Sequence, residues 1–384
     1  MHIVLIRSNP VRPCPRTEKM ARFLKRCGHE VTVLSWDRDS DYSPKEDKLE
    51  FVDVYCRIVR IGIKGQFGGG IKKNLGGLIT FQKFIYNWLK TNKEKYDVVH
   101  AYDLDTGFTA HKAAKRFHKI FIYDIADYYS NGHGYTGLLC RAANFIENCI
   151  INHAFATIIC TEERKEEIKG THPKRLYVIH NTPNVEIQNI ETYCHDRIRL
   201  AYIGIFSPKR FLKEITEFVA ERNDCELHIG GFGANMEPYF EEMDRKHENI
   251  VYYGRVPYQK TIEIEKECDV LPIIYDPSLL NHVYAAPNKF YEALALGKPM
   301  IMAKGTGMSS IVEEFNLGET MEYTIEGLEN AVNNLINKKD QWYEIGKREQ
   351  ILYKTRYSWR EMEKRIIELY MEVALYIKAN SKTN

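Results

Sequence analysis

Short apolar runs alternate along this chain with stretches in which apolar residues recur at helical spacing. HIVLI (2–6), VTVLSW (31–36), DVVHAY (97–102), IFIYDI (120–125), TIICT (157–161) and LYVIH (176–180) read as buried strands, and FVDVYCRIVRI (51–61) as a further one. Helical patterns lie between most of them, beginning with the basic amphipathic segment Glu18–Arg26. Continuous apolar runs are what strands covered on both faces require, so the rhythm predicts a mostly parallel sheet with helices on either side. The rhythm restarts at Arg199 with RLAYIG, CELHIGG, IVYYG, DVLPIIY and PMIMA. Between the two series, HNTPNVEIQNIETYCHD (180–196) is polar and patternless, as a linker would be. The expected organisation is an N-terminal domain over 1–185 and a C-terminal domain over 186–356. Residues 357–384 form a last helix, with Met362, Ile366, Leu369, Tyr370 and Val373 as its apolar stripe.

One segment interrupts the rhythm. GIKGQFGGGIKKNLGGLITFQKFIYNWLK (62–90) carries seven glycines, several lysines and many apolar residues. Its glycine-rich part is unsuited to a core strand. The following Leu75–Leu89 segment reads either as a core helix or as a basic, aromatic element for a membrane surface or acceptor.

Composition narrows the class. The chain has 384 residues, 44% hydrophobic and 28% charged, which suits two globular domains. No apolar run approaches the roughly 18–20 residues of a membrane span, and MHIVLIRSNP lacks a signal-peptide layout. Nine cysteines without CxxC spacing read as reduced thiols, and the expected location is cytoplasmic. Net charge is only +2, but residues 1–183 hold 29 Lys and Arg against 20 Asp and Glu, and the remainder holds 25 against 32. A basic N-terminal half attracts an acidic partner, such as an anionic membrane surface at the inner face of the plasma membrane. No nucleic-acid-binding motif accompanies it.

Three strand ends in the second half are prepared for negative charge. APNKFYEALALGKPMI (286–301) reads as a helix and a strand, with Pro287 suited to a first helical position. Phe290, Ala293, Leu294 and Gly297 share the inward face, while Asn288, Lys289 and Glu292 share another. Lys289 lies in the first turn, where the helix dipole disfavours a cation unless an anion docks there. The alternative is a solvated Lys/Glu face. IFSPKR runs into the helical segment FLKEITEFVAER, and Lys209 and Arg210 lie at the start of that helix, again at the unfavourable end. CELHIGG opens into Gly231, Phe232 and Gly233, where small residues let backbone amides approach a ligand. Open parallel sheets bind ligands at the carboxyl ends of their strands. A diphosphate or sugar-nucleotide site is the inference.

In their order and spacing, these segments resemble glycosyltransferase family 4, retaining enzymes of the GT-B fold that build bacterial capsules and O-antigens. GHEVTVLSW, DVVHAYD, IYDIADYY and VIHNTPN are similar to its N-domain and interdomain segments. AYIGIFSPKR, LHIGGFG, NIVYYGRV and APNKFYEALALGKPMI are similar to its donor-site segments, and TRYSWREMEKRIIELY to its terminal helix, which returns to the N-domain. The resemblance covers nearly the whole chain. It implies an α/β fold of two Rossmann-like domains facing a cleft. It also implies transfer of a sugar from a nucleotide donor, with uridine as the commonest base, to a lipid-linked or polysaccharide acceptor.

Glu292 resembles the second glutamate of an E-x7-E motif that holds the donor ribose. Arg210 matches a basic residue on the diphosphate, Gly231 and Gly233 a glycine loop, and Arg255 and Val256 a segment facing the base. Together these readings nominate Arg210, Lys289, Glu292 and Asp127 as catalytic. Gly204, Ser207, Lys209, Gly231, Phe232, Gly233, Arg255, Val256, Pro287 and Asn288 are nominated for donor binding, and Asp103 for the acceptor. Asp103 and Asp127 read equally well as strand-end or capping aspartates. The chain departs from the family pattern at Tyr284, Ile205 and Ala126, where the motif has a glutamate, an arginine and a histidine. A catalytically silent homologue that binds nucleotide or a partner is therefore the second reading.

Cationic side chains and helix N-termini can stabilise a departing diphosphate without a metal, so no cofactor is expected. Asp103-Leu-Asp105 spells the DxD metal signature of a different fold. His100, His133, His153 and His180 lack paired ligand spacing and read as core or loop residues. A nicotinamide oxidoreductase is disfavoured, because the first strand leads into SNPVRPCPR without GxGxxG. A sugar epimerase on the same fold is a further enzymatic option.

Overall fold

The computed structural model describes the chain except residues 66–69, 133–136, 186, 188, 191–194 and 381–384, and the side chains of 70–73 and 132. It divides into two compact units, Met1–Ile179 with Glu363–Asn384, and His180–Met362.

The first unit is built on eight strands. They are β1 (His2–Arg7), β2 (Glu30–Asp37), β3 (Tyr42–Glu50), β4 (Tyr55–Gly62), β5 (Val98–Tyr102), β6 (Ile120–Ile125), β7 (Ala156–Ile159) and β8 (Leu176–Val178). Their order is β3-β4-β2-β1-β5-β6-β7-β8, with every pair parallel except β3–β4. The continuous apolar runs became the parallel strands, covered by helices on both faces, with LYVIH as β8 at one edge. β3 was not expected. Its residues YSPKEDKLE have no apolar period, and it forms as an exposed antiparallel edge on β4. Its Pro44 and charged side chains suit an edge, where they discourage pairing with another chain.

One face of this sheet packs against the helices Gly70–Thr91, Asp103–Arg116 and Gly137–His153. Their Phe81, Phe84, Ala110, Ala113, Ile150 and Ile151 share one apolar core with strand residues such as Val4, Trp36 and Val99. Leu75–Leu89 thus lies within a helix lining this core. A buried polar network sits between β5, β6 and the terminal helix Trp359–Asn380. Asp124 accepts Arg16 Nη2 at 2.6 Å and pairs with His100 Nε2 at 3.3 Å, and His100 Nδ1 meets the Tyr370 hydroxyl at 2.8 Å. Burial alone would raise Asp124, but Arg16 and His100 hold its carboxyl below the ordinary range.

The second unit continues with β9 (Ile198–Ile205), β10 (Cys225–Phe232), β11 (Ile250–Tyr252), β12 (Leu271–Ile273), β13 (Met300–Ala303) and β14 (Gly318–Met321). All pairs are parallel, in the orders β11-β10-β9 and β12-β13-β14. A bridge between Leu200 and Val270 joins the two runs. The strand order therefore reverses between β9 and β12, which creates a crevice at their carboxyl ends. β14, only four residues long, was also not expected. Among the described residues no helix is long and apolar enough to cross a membrane.

Glu147, on the helix Gly137–His153, is fully buried and accepts the Tyr123 hydroxyl at 2.7 Å and the Tyr129 N–H at 3.0 Å. Burial raises its pKa to about 8. The folded state thus holds a proton that the unfolded chain releases above its ordinary pKa. The resulting stabilisation is complete below that value and is lost as pH rises toward 8. Glu147→Gln should remove this dependence. Relative to wild type, the variant should gain roughly 2–3 kcal/mol between pH 5 and pH 7. Hydrogen exchange of peptides from Gly137–His153 reads this, and a difference that stays flat with pH would refute it.

Candidate functional site

A cavity of about 400 Å³ opens at the reversal point in the second unit. That volume suits a small-molecule ligand. The ends of β9 and β10 form its floor, through Gly204 and Ile205, and Gly231 and Phe232. Gly231 has φ 141°, and a Cβ there would lie 1.7 Å from the Gly204 carbonyl oxygen. The glycine is required by the neighbouring strand itself. Gly204 tolerates more, since a Cβ would meet Lys289 at an ordinary 3.5 Å.

Arg210 enters the cavity differently from the sequence expectation. Lys209 and Arg210 do not begin the following helix. They sit in a separate 3-10 turn, Pro208–Arg210, and left-handed Phe211 (φ 57°) divides them from the helix Leu212–Ala220. Ser207 caps that turn, its hydroxyl accepting the Lys209 N–H at 3.2 Å. Arg210 Nη1 donates to the Tyr202 hydroxyl at 3.0 Å and to the Ile205 carbonyl at 2.8 Å. Its guanidinium lies 4.9 Å from the Tyr275 ring centre, and its Nε is buried without an acceptor. All of these partners are neutral, and no described carboxylate pairs with Arg210. Lys209 instead turns to Asp276 at 2.9 Å. Ser278 and Lys209 hold that carboxyl well below its ordinary range.

Lys289 also lines the cavity, but it is compensated. It does not lie on a solvated face, since Lys289 and Glu292 are both buried. Lys289 Nζ meets Glu265 Oε1 at 2.6 Å and Glu292 Oε2 at 3.8 Å. Burial opposes the lysine's charge, yet the two carboxylates keep its pKa above the ordinary value. Burial and Glu292 push Glu265 upward, against the pull of Lys289. Glu292 also hydrogen-bonds Tyr258, at the cavity wall. Pro287 stands one place before the first helical residue rather than at it, because its ψ of 130° is extended. Asn288 lines the cavity and accepts Asn181 Nδ2 at 3.0 Å. Arg255 covers the Phe232 ring at 4.3 Å, next to Val256. Ser207, Lys209, Gly233 and Pro287 are outside the lining. Gly233 instead donates its N–H to Glu237 at 2.9 Å.

Tyr202, Tyr258, Tyr275 and Glu265 were missed by the sequence reading. Glu265 had a signal, since it shares the buried face of the helix Tyr258–Glu267 with Thr261 and Ile264. An acid on an apolar face implies a buried partner.

The two nominated aspartates belong to the first unit. Asp103, in a left-handed conformation (φ 56°), contacts Arg7 at 2.5 Å and accepts the Ala126 N–H at 2.8 Å and the Asp127 N–H at 3.3 Å. Asp127 pairs at 3.0 Å with Arg164, which is fully buried. Both aspartates therefore tie strand ends together. Among the described residues no group of three or more His, Cys, Asp or Glu side chains is gathered as a metal site. His100 and His180 are buried and His153 is exposed at a helix end, while His133 is outside the described residues.

Comparison with known proteins follows the same division. The family described as Glycosyl transferase 4-like domain matches residues 14–182. Glycosyl transferases group 1 matches residues 198–338. No curated protein sequence matches the chain. Among solved structures, sucrose-phosphate synthase from Thermosynechococcus elongatus is similar with a TM-score of 0.77 at 14% identity, covering 98% of this chain and 100% of that one. Anabaena Alr3699/HepE in complex with UDP and glucose gives 0.67 at 15% identity, covering 97% and 100%. The E. coli protein titled trehalose-6-phosphate, bound with UDP-2-fluoro glucose, gives 0.70 at 10% identity, covering 96% and 98%. At these identities the likeness is one of fold.

The contrast between the two lysines is measurable. Lys289→Ala leaves Glu265 and Glu292 buried without their cation and should cost about 3–5 kcal/mol. Lys209→Ala removes a half-exposed ion pair and should cost less than about 1 kcal/mol. Urea unfolding of both variants checks the order, and equal losses would contradict it.

Proposed function

The chain is a GT-B glycosyltransferase of the family 4 type, and we propose that it moves a sugar from a UDP-sugar to a lipid-linked or polysaccharide acceptor with retention of anomeric configuration. The observation that carries the donor reading is Arg210, a cation that no described carboxylate pairs, in a cavity at the strand-order reversal. A diphosphate supplies the missing negative charge, and the guanidinium fork suits phosphate oxygens. Glu292 and Asn288 would take donor hydroxyls, and Phe232 with Arg255 would flank the base. UDP and UDP-sugars in the structures of similar fold favour uridine as that base.

In the proposed reaction the bond between the anomeric carbon and the β-phosphate oxygen breaks, and its electron pair leaves with the diphosphate. The acceptor hydroxyl attacks the same face, and its proton passes to a departing phosphate oxygen. UDP and the new glycoside are the products. Arg210 stabilises the charge that develops on the leaving group, which is where preorganised donors act most strongly. This scheme needs neither a carboxylate nucleophile nor a metal. The basic N-terminal half suits a role in cell-surface polysaccharide assembly, as a peripheral protein on the inner face of the plasma membrane.

A thermal-shift series with UDP-, GDP- and dTDP-sugars tests this. A UDP-sugar at a hundred times its Kd should stabilise the protein by about 2.7 kcal/mol. Arg210→Ala should abolish that shift and lower turnover by roughly 10²–10³-fold. A shift that survives Arg210→Ala would put the donor elsewhere, and nucleotide binding without turnover on any donor would favour the silent homologue.

A further inference from the structure

The three helices on one face of the first unit, Gly70–Thr91, Asp103–Arg116 and Gly137–His153, have an unusual outer surface. They contain eight Lys and Arg but only three acidic residues, Asp103, Asp105 and Glu147. None of the three acids is fully exposed, and Asp105, the one nearest the outward positions, is half-buried. Asp103 is engaged by Arg7, Glu147 is buried, and Asp105 lies in the first turn of its helix. The cations do face outward, with Lys83, Lys90, Lys112, Lys115, Arg116 and Arg141 all exposed.

Large apolar side chains stand among them. On the helix Gly137–His153, Leu138, Leu139 and Phe145 are 81%, 73% and 76% exposed. Leu138, Arg141, Ala142 and Phe145 are spaced as neighbours on one helical face, so the arginine lies within the apolar stripe. Leu75 and Ile79 on the first helix, and Phe108 on the second, are exposed as well. Lys112 Nζ covers the Phe108 ring at 3.9 Å. The helix Gly137–His153 leads directly into β7, so its first turn, with Leu138 and Leu139, lies toward the carboxyl end of the parallel sheet. Asp103 begins its helix at that same end.

We infer that this three-helix face docks on an anionic lipid bilayer, with Leu138, Leu139 and Phe145 entering the headgroup region and the surrounding Lys and Arg side chains meeting lipid phosphates. Apolar anchors combined with exposed cations and no exposed acid are the pattern of a surface that lies on a membrane. A rival apolar stripe on the terminal helix, with Met371 and Leu375 exposed, is interleaved with Glu368 and Glu372, which an anionic surface repels. The inference deepens the proposed membrane-borne acceptor, since it brings the carboxyl end of the first sheet toward the lipid.

The test is co-sedimentation of the full chain with phosphatidylglycerol–phosphatidylcholine vesicles and with phosphatidylcholine alone. Binding to the anionic vesicles should weaken as salt rises. The triple variant Leu138→Ser, Leu139→Ser, Phe145→Ser and the charge variant Lys112→Glu, Lys115→Glu, Arg141→Glu should each bind at least about tenfold more weakly. All of these positions are exposed, so folding should survive. Wild-type protein that ignores anionic vesicles, or binds neutral ones equally, overturns the inference, as do variants that bind like wild type. A dimer in light scattering that the triple variant dissolves, without vesicle binding, would assign the face to a second copy and also overturn it. The UDP-sugar thermal shift, measured on the same proteins, separates the two readings. If vesicle binding persists in a protein that no nucleotide stabilises, only the donor assignment falls.

Discussion

The site depends on one guanidinium held entirely by neutral groups. Tyr202 donates its hydroxyl to the Ile205 carbonyl at 2.8 Å, and Arg210 donates to both, closing a triangle at the end of β9. Tyr275 supplies an aromatic face and no charge. Arg210 is half-buried and no described carboxylate offsets its charge, so the cavity carries a net attraction for an anion. The arrangement exists because Gly231 lets β10 lie flush against β9 and because Phe211 turns the chain before the next helix begins. The position of this guanidinium is thus fixed by backbone geometry rather than by a flexible surface arm.

Lys289 has the opposite logic, although the two cations look alike in sequence. A lysine in the first turn of a helix is disfavoured by the dipole. Here Glu265, from 24 residues upstream, and Glu292, one turn onward, offset that penalty. The cluster carries no surplus positive charge and contributes little attraction for a diphosphate. Its ion pairs tie the first turn of Asn288–Leu296 to the helix Tyr258–Glu267, and Glu292 and Asn288 line the cavity from that turn. Attraction and positioning are divided between two residues that a motif would treat as equivalent.

The parallel strands were legible because burial on both faces demands continuous apolar runs. β3 was not, because an exposed edge is stabilised by hydrogen bonds to its neighbour and leaves no apolar period. The crevice was legible from glycines and basic residues after three strands. The division of labour inside it was hidden, because whether a cation is compensated depends on residues brought in from other elements. The dipole argument put Arg210 at the start of a helix, whereas a 3-10 turn and left-handed Phe211 separate it from Leu212–Ala220. Glu265 could have been found from its place on an apolar helical face, whereas the tyrosines gave no signal apart from the fold.

The aspartates of the first unit bear on the route of the proton. Asp103 is saturated by Arg7 and two backbone amides, and Asp127 pairs with a buried arginine. Glu147 is held toward its neutral form by burial, with Tyr123 and the Tyr129 amide on its two oxygens. Each of these carboxyls is engaged by groups of its own unit, and withdrawing Asp103 or Asp127 for base catalysis would loosen the strand ends that it holds. A reaction in which the leaving phosphate accepts the acceptor's proton makes no such demand. The engagement of Asp127, nominated in sequence as catalytic, and of Asp103, nominated for the acceptor, therefore favours a mechanism in which the donor, rather than the protein, supplies the base.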